Sequence, residues 1–341
     1  MTGETPAEQL EGETLKDGWQ VVRRLPPSSG ASGGSFSVGY EARRGGQRAF
    51  LKALDVNAAL DESESLHNYL LSGGQWREAE LLEQCAADKL SRVIRPYGRG
   101  TWRHPTNRAI TPVPYIITEW ADGGDLTRAT IEPELDLEFG LDAVHGIACA
   151  LQQVHILGIA HRDIRPSNGV VVSGQVKLAD FGHAADLANS SVDIGPHGAA
   201  HYAPPEVLYN SLRPTDAGLR SADLYLLGSL LVSVVASRAP LTTLWIALVD
   251  DEVHPIHNDG PLSLVLPFVR DAYCRALEFV EARIPQSCDS DRIMRVVRML
   301  TDPDPSRRGH PHARAASGDD LALDRIITEL DVVRRRVKVV G

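Results

Sequence analysis

The residues of this chain best suited to chemistry lie in a short stretch near its middle. Asp163 and Asn168 stand five positions apart in a turn-rich run, and Asp180 follows after two short apolar runs. This order predicts a helix, a loop, a hairpin and a second loop, with the polar groups where the strands end. Carboxylate and amide oxygens suit a hard cation such as Mg²⁺, and a further carboxylate can accept a proton from an attacking hydroxyl. The stretch therefore indicates phosphoryl transfer.

These residues form two motifs, His-Arg-Asp with an asparagine five positions later at 161–168 and Asp-Phe-Gly at 180–182. Together they resemble the signature of the eukaryotic-type (Hanks-type) serine/threonine protein kinases. The resemblance implies that Asp163 orients and deprotonates the substrate hydroxyl. It also implies that Asn168 and Asp180 hold Mg²⁺ on the phosphates of ATP.

A glycine- and serine-rich segment at 28–42 is suitable for the loop that covers the phosphates in this family. Such a loop needs glycine because only a backbone without Cβ can approach phosphates closely. Phe36 and the Tyr-Glu-Ala run at 40–42 fix the alignment. The resemblance then implies that Gly33, Gly34 and Phe36 contact the nucleotide, although such a stretch is also typical of a linker.

Several positions depart from the family pattern. Ser32 and Ser37 replace two loop glycines, and Gly39 stands where a valine usually packs on adenine. Arg165 replaces a lysine that neutralises the transferring phosphoryl group, which keeps the charge but changes its reach. Ala199 replaces a threonine, and losing one hydrogen bond there would lower the rate about tenfold. The resemblance thus implies a slow but active enzyme in which Arg165 is catalytic.

Lys52 stands in an apolar strand at 49–53, in a chain whose 35 basic residues include only five lysines. Its compact ammonium suits two phosphate oxygens better than a planar guanidinium would. In the family this lysine pairs with a glutamate on the next helix. Glu78 is favoured as that partner because the apolar residues after it align with the family, while Glu80 and Glu83 are alternatives.

The segment 115–125 resembles the last strand of the small lobe running into the hinge. The resemblance implies that backbone groups of Glu119 and Ala121 bind the adenine edge, with Thr118 at the gatekeeper position. It also implies that Asp125 accepts hydrogen bonds from the ribose hydroxyls. The alternative for Asp125 is an acidic residue in a solvated turn.

Three further residues are expected to be architectural. Glu206, in a segment resembling the end of the activation loop, is expected to pair with Arg308 as a partly buried ion pair. Asp223 opens an apolar helix and is expected to hold the backbone of the loop around Asp163. These residues support the site without taking part in the reaction.

Arg162 suggests regulation, because an arginine just before the catalytic aspartate often meets a phosphate on the activation loop. Apart from Tyr202, Ser190 and Ser191 are the hydroxyl-bearing residues between Asp180 and Glu206. We expect autophosphorylation at one of these two serines. The alternative is a structural arginine and two ordinary loop serines.

Composition is typical of a soluble enzyme. The net charge of −10 argues against general binding to nucleic acid or anionic membranes. The four cysteines are scattered without metal spacing, which favours the reducing cytoplasm. No apolar run reaches the roughly 20 residues that a membrane span needs, and the acidic N-terminus does not resemble a secretory signal. Arginine-rich, lysine-poor usage suggests a GC-rich bacterial genome.

The resemblance covers about residues 18–310 and implies an α+β fold with two lobes. The expected small lobe is an antiparallel sheet with one helix at 18–122, and the expected large lobe is mainly helical at 123–315. A disordered acidic tail is expected at 1–17, and an amphipathic helix packed on the large lobe at 316–341. Lys52, Asp163, Asn168 and Asp180 are then expected to converge on one metal-bound triphosphate.

The sequence thus predicts an ATP- and Mg²⁺-dependent kinase acting on serine or threonine hydroxyls of protein substrates. Two alternatives are a nucleotide-binding pseudokinase that serves as a scaffold and a small-molecule kinase. Retention of Lys52, Asp163, Asn168 and Asp180 argues against the pseudokinase. The segments around Glu206, Asp223 and Arg308 favour a protein substrate. The substrate, the activating signal and the oligomeric state are not encoded in any of these motifs.

Overall fold

The structure is a computed structural model, which describes residues 4–26, 37–56, 74–106, 111–127, 137–188, 200–316 and 318–340. It contains two compact units. The first comprises Met1–Asp125 and Val170–Gly182, and the second comprises Leu126–Gly169 and His183–Gly341. The first unit is mainly strand and the second mainly helix, which confirms the predicted α+β class. The first unit differs from the predicted 18–122 lobe because it includes the hairpin that leads to Asp180.

The two units are built from the following strands and helices. The strands are β1 (Gln20–Arg24), β2 (Ser37–Arg44), β3 (Gln47–Leu54), β4 (Pro96–Trp102), β5 (Val113–Glu119), β6 (Ile159–Ala160), β7 (Gly169–Val172), β8 (Gln175–Leu178) and β9 (Ala185–Asp186). The helices are α1 (Gly74–Ala87), α2 (Leu137–Ile156), α3 (Pro205–Leu208), α4 (Asp216–Val232), α5 (Leu241–Ile246), α6 (Leu262–Glu281), α7 (Ser290–Thr301), α8 (Pro311–Ala316) and α9 (Asp324–Val340).

The first five strands form one antiparallel sheet in the order β1-β2-β3-β5-β4. Side chains alternate between its two faces, as the pleat of a strand requires. Ala49, Leu51 and Ala53 of β3 are buried on one face. Phe50 and Lys52 therefore lie on the opposite face, where a polar head group can be used for binding.

The prediction of a disordered tail at 1–17 is wrong for its described part, residues 4–17. Ala7 and Leu10 are fully buried, and Leu15 is nearly so, in the core of the sheet. The Tyr40 hydroxyl donates to the Ala7 carbonyl at 2.6 Å. The acidic composition of this segment gave no indication that its apolar side chains are spaced to cover a face of the sheet.

Glu41 of β2 is a buried carboxylate that holds three arginines on the sheet. It accepts from Arg23 Nε at 3.0 Å, from Arg43 Nε at 3.0 Å and from Arg48 Nε at 2.9 Å. Arg48 also bonds it through Nη2, and the Arg48 guanidinium stacks on Trp120. Hydrogen bonds from Arg48, together with those from Arg43 and Arg23, lower the pKa of Glu41 to about 2.

This geometry predicts an acid-sensitive contribution to stability. A lowered folded-state pKa stabilises the fold above the ordinary value of 4.5, and that contribution disappears as the pH falls towards 2. Because the arginines are half exposed, we expect Glu41→Gln to cost about 1–2 kcal/mol at pH 6. The difference between wild type and variant in urea denaturation should shrink at pH 3. A difference that stays constant between the two pH values would contradict this account.

Buried helices form the second unit. Helix α4 packs against α2 and α7, and almost every residue from Leu219 to Val232 is buried. Within the described chain, Asp216–Ala236 is the one stretch long and apolar enough to cross a membrane by length and composition. The stretch carries the charged residues Asp216, Arg220 and Asp223, so the expectation that no uninterrupted apolar run reaches about 20 residues is not contradicted. Of its apolar window, 83% is buried. Core helices of globular proteins pass the same test.

Helix α9 lies on the second unit through its apolar stripe. Ile326, Leu330 and Val333 are buried, and the helix packs on α2 and α7. Arg334 Nη1 donates to Asp142 of α2 at 2.9 Å, so one guanidinium links the two helices. The C-terminal segment is therefore a part of this unit's core.

Candidate active site

Lys52 joins two carboxylates in the first unit. Its ammonium nitrogen lies 2.9 Å from Glu78 Oε2 on α1 and 2.8 Å from Asp180 Oδ1 after β8. The Lys52 side chain is 18% exposed, so these contacts are largely shielded from water. Burial alone would lower the pKa of Lys52, but the charges of Asp180 and Glu78 outweigh it and raise the pKa. The lysine is therefore held charged, as a phosphate-binding ammonium must be.

The competing glutamates of the same helix have a different partner. Glu80 and Glu83 lie 3.2 and 3.3 Å from the guanidinium of Arg99, and both side chains are exposed. Glu78 lies beside the buried residues Ala79 and Leu82, which fix that helix face on the sheet. Of the three candidates, the structure brings only Glu78 to Lys52.

The backbone at Asp180 has a conformation that few residues adopt. Its φ is +60°, a left-handed value that costs a residue with a Cβ some strain. Phe181 is buried to 1% exposure, and the Gly182 N–H donates to Asp180 Oδ1 at 3.3 Å. The buried ring and this hydrogen bond hold the carboxylate towards Lys52.

The expected adenine-binding segment follows β5 in the first unit. The Ala121 carbonyl accepts from the Gly124 N–H at 3.3 Å. No group in the described part of the chain accepts from the Ala121 N–H, which leaves it available to a ligand. Asp125 lies beyond this turn, in an isolated bridge with Val170.

Glu119 has a structural role that its sequence position did not indicate. Its carboxylate accepts from Lys177 Nζ at 2.5 Å and from the backbone N–H of Arg95 at 2.9 Å. These contacts join the start of the hinge segment to strand β8 and to the segment before β4. The rarity of lysine in this chain, which singled out Lys52, could equally have drawn attention to Lys177.

Asp163, Asn168 and Arg165 are brought together in the second unit. The Asn168 amide nitrogen donates to the Asp163 carbonyl and to its carboxylate Oδ2, both at 2.7 Å. Arg165 Nε lies 3.3 Å from the same Oδ2, and the Asp163 N–H donates to His161 Nδ1 at 3.3 Å. Because the amide nitrogen faces Asp163, the amide oxygen of Asn168 is directed away from it and can serve as a cation ligand.

Asp223 holds the loop around Asp163, as the sequence predicts. Its fully buried carboxylate accepts from the backbone N–H of His161 at 2.8 Å and from that of Arg162 at 2.6 Å. His155 Nε2 lies 2.9 Å from the same carboxylate, a contact that sequence reasoning missed. Arg162 has a left-handed φ of +67°, which these bonds to Asp223 maintain.

The predicted pair of Glu206 and Arg308 is present and more deeply buried than expected. Arg308 Nη1 and Nη2 donate to the two Glu206 carboxylate oxygens at 2.6 and 2.8 Å. The side chains are 0% and 2% exposed. Arg308 also donates to the backbone carbonyls of Asp302 and Ser221. This ion pair fixes the end of the predicted activation loop onto the second unit.

Seven positions singled out from the sequence lie outside the described residues: Ser32, Gly33, Gly34, Phe36, Ser190, Ser191 and Ala199. Apart from the hinge residues Glu119, Ala121 and Asp125, the remaining site residues fall into one group in each unit. Lys52, Glu78 and Asp180 form the first group, and Asp163, Arg165 and Asn168 form the second. Their convergence on one triphosphate stays a prediction.

The donor sets fit the expected ligands. A carboxylate at Asp180 and an amide oxygen at Asn168 are oxygen ligands of the kind that Mg²⁺ takes alongside phosphate and water. No three His, Cys, Asp or Glu side chains cluster as a metal site within the described ranges. Charged Lys52 and the Ala121 N–H fit the phosphate and base ends of a nucleotide.

Comparison with known proteins agrees with this geometry. A family model described as protein kinase domain matches residues 32–311. A probable serine/threonine-protein kinase of Streptomyces coelicolor is 35% identical over 169 residues, which cover 47% of this chain and 22% of that protein. The serine/threonine-protein kinase PknB of Mycobacterium tuberculosis is 29% identical over 189 residues, covering 52% and 26%. The serine/threonine-protein kinase CHK1 of Saccharomyces cerevisiae is 32% identical over 159 residues, covering 44% and 29%. The chain thus spans less than a third of the length of each relative.

Proposed function

Because the chain belongs to the protein kinase domain family, we propose that it transfers the γ-phosphoryl group of ATP to serine or threonine hydroxyls of proteins. The observation that carries this proposal is Lys52, whose ammonium lies within 2.9 Å of both Glu78 and Asp180. A charged lysine held by two carboxylates is ready to bind phosphate oxygens. The serine/threonine kinases among its relatives support the acceptor class.

In the proposed reaction, Asp163 accepts the proton of the substrate hydroxyl as that oxygen bonds to the γ-phosphorus and the bond to ADP breaks. Arg165 places positive charge beside the Asp163 carboxylate, where the transferring group gathers negative charge. Asn168 donates one hydrogen bond to that carboxylate and one to the Asp163 backbone carbonyl, which together hold the side chain in place. Bound through Asp180 and Asn168, Mg²⁺ would neutralise phosphate charge.

The proposed activity can be tested directly. Purified protein is incubated with radiolabelled ATP, Mg²⁺ and a dephosphorylated protein mixture, and the labelled proteins are hydrolysed. Phosphoserine or phosphothreonine is the expected product. Nucleotide binding without transfer would favour the pseudokinase scaffold, and label recovered only on small molecules would favour the small-molecule kinase. Label found solely on tyrosine would contradict the proposed acceptor.

The proposal includes autophosphorylation at Ser190 or Ser191, which lie outside the described residues. Arg162 supports it, because this largely buried arginine precedes Asp163 and its backbone is fixed by Asp223. Intact-mass spectrometry after incubation with Mg-ATP should show the mass of at least one added phosphate. The variant Ser190→Ala/Ser191→Ala should lack that addition, and an equal gain in the variant would exclude these two sites.

We also propose a cytoplasmic location. The four cysteines, all within the described residues, are free thiols, and Cys85 is buried. Free thiols are typical of a reducing compartment. Fractionation of the host cell, with the chain detected by antibody, tests this location.

A further inference from the structure

Two neighbouring residues on the nucleotide face of the sheet depart from the family pattern together. The family signature Val-Ala-Ile-Lys has an alanine two positions before the lysine, and this chain has Phe50 there. Gly39 stands where a valine usually packs on adenine. The larger side chain of the two is therefore on β3 in this chain, at Phe50, whereas the family pattern has it on β2, at position 39.

The register of the sheet brings these two positions together. Gly39 of β2 is the partner of Lys52 of β3, and Phe50 is the partner of Glu41. Phe50 and Lys52 are two residues apart on one strand, so their side chains share a face at a spacing of about 6–7 Å. Gly39 lies on that same face, directly opposite Lys52 and diagonal to Phe50.

The phenyl ring of Phe50 fills the space that Gly39 leaves. A Cβ added to Gly39 would lie 3.0 Å from Phe50 Cε2 and 3.3 Å from Cζ. Contacts this close would force the ring to move. A Cβ at position 39 would therefore require the Phe50 ring to shift by a few tenths of an ångström, and a branched side chain would displace it further. The two substitutions are complementary, and the glycine accommodates the ring.

The ring is also placed where a base would meet it. Phe50 is half-buried and pairs across the sheet with Thr118 of β5, three residues before the available Ala121 N–H. A half-exposed aromatic ring between a phosphate-binding lysine and a hydrogen-bond donor is suited to stacking on a nucleobase.

We propose that Phe50, seated over Gly39, is the residue against which the bound purine base stacks and that the pair determines affinity for the base. The inference rests on the proposed function, since it needs a nucleotide at this face. Alanine substitution of a stacking aromatic costs about 1–3 kcal/mol per base, or about 5- to 150-fold in affinity. In this proposal, backbone hydrogen bonds of the hinge segment still recognise the edge of the base.

A double-mutant cycle tests the pair by calorimetric titration with Mg-ATP and, separately, with adenosine. Phe50→Ala should weaken both ligands about tenfold, because stacking is lost. Gly39→Val should weaken both at least tenfold, because the valine pushes the ring into the base position. The double variant Gly39→Val/Phe50→Ala restores the family's arrangement, with the larger side chain on β2. Its affinity for both ligands should be within about threefold of wild type.

Further variants separate stacking from packing. Phe50→Leu keeps an apolar side chain and should still weaken adenosine, whereas Phe50→Tyr should bind like wild type. Lys52→Ala should weaken ATP and leave adenosine unchanged, and thermal melting checks that each variant folds. Unchanged binding by Phe50→Ala, or losses that simply multiply in the double variant, would overturn the stacking role while leaving the proposed kinase activity intact. Wild-type protein that binds neither ligand would overturn both.

Discussion

Replacing Asp163 by asparagine is expected to lower the rate of phosphoryl transfer about 10³-fold, within the range of 10²–10⁴ typical of a positioned general base. The amide has almost the same shape as the carboxylate but cannot accept the proton of the substrate hydroxyl. Its oxygen can still accept from the Asn168 amide, which donates to Asp163 Oδ2 at 2.7 Å. The loop should therefore keep its geometry while losing its base.

The rate is measured from initial transfer of radiolabelled phosphate, alongside ATP affinity from calorimetry. Affinity should change less than about threefold, because Lys52 and its two carboxylates are untouched. Asp271→Asn is the matched control, since it makes the same chemical change at an exposed carboxylate of α6 and should leave the rate unaltered. Transfer by Asp163→Asn at the wild-type rate would show that another group, or water, takes the proton.

Residue type and spacing were enough to predict several short-range contacts of the candidate site. The five-position offset between Asp163 and Asn168 places both in one tight loop, where their hydrogen bonds are local. Glu78 was chosen because the apolar residues after it align with the family pattern, and the structure confirms that this glutamate contacts Lys52. Contacts within a short loop or on one helix face can be predicted from the sequence because local geometry determines them.

Contacts that depend on the sheet register could not be predicted in the same way. The fit between Phe50 and Gly39 needs β2 and β3 paired in one particular register, and a shift of one strand by one residue would place the two positions on opposite faces. The contact of Lys177 with Glu119 joins residues 58 positions apart in the chain. Spacing along a sequence carries no information about such distances.

The described part of the N-terminal segment shows that composition alone can mispredict burial. Glutamates at positions 4, 8, 11 and 13 give it the composition of a solvated tail. Yet Leu10 is fully buried, and the side chain of Glu8 lies 2.6 Å from Arg24. Glu8 thus pairs with an arginine of the edge strand β1, while Leu10 two positions later is buried, so charged and buried side chains alternate in one short segment.

The free energy of unfolding depends strongly on the ion pair between Arg308 and Glu206. Arg308→Met keeps most of the side-chain length but leaves the Glu206 carboxylate buried without its cation. It also removes hydrogen bonds to the carbonyls of Asp302 and Ser221. Loss of one partner of a buried pair costs about 3–5 kcal/mol. We expect a loss of this size in urea denaturation followed by circular dichroism.

Two comparisons isolate the uncompensated charge as the cause. Arg298→Ala removes an exposed arginine that lies 3.4 Å from Glu281, and it should cost less than about 1 kcal/mol. The double variant Glu206→Leu/Arg308→Met leaves neither charge buried, so it should recover part of the stability that Arg308→Met alone loses. If the double variant were less stable than Arg308→Met, the paired charges would be stabilising in themselves, and the loss could not be assigned to the stranded carboxylate. If the double variant recovers stability, a non-polar pair can fill the same space. The role of the ion pair would then be to hold the segment before α3 in place.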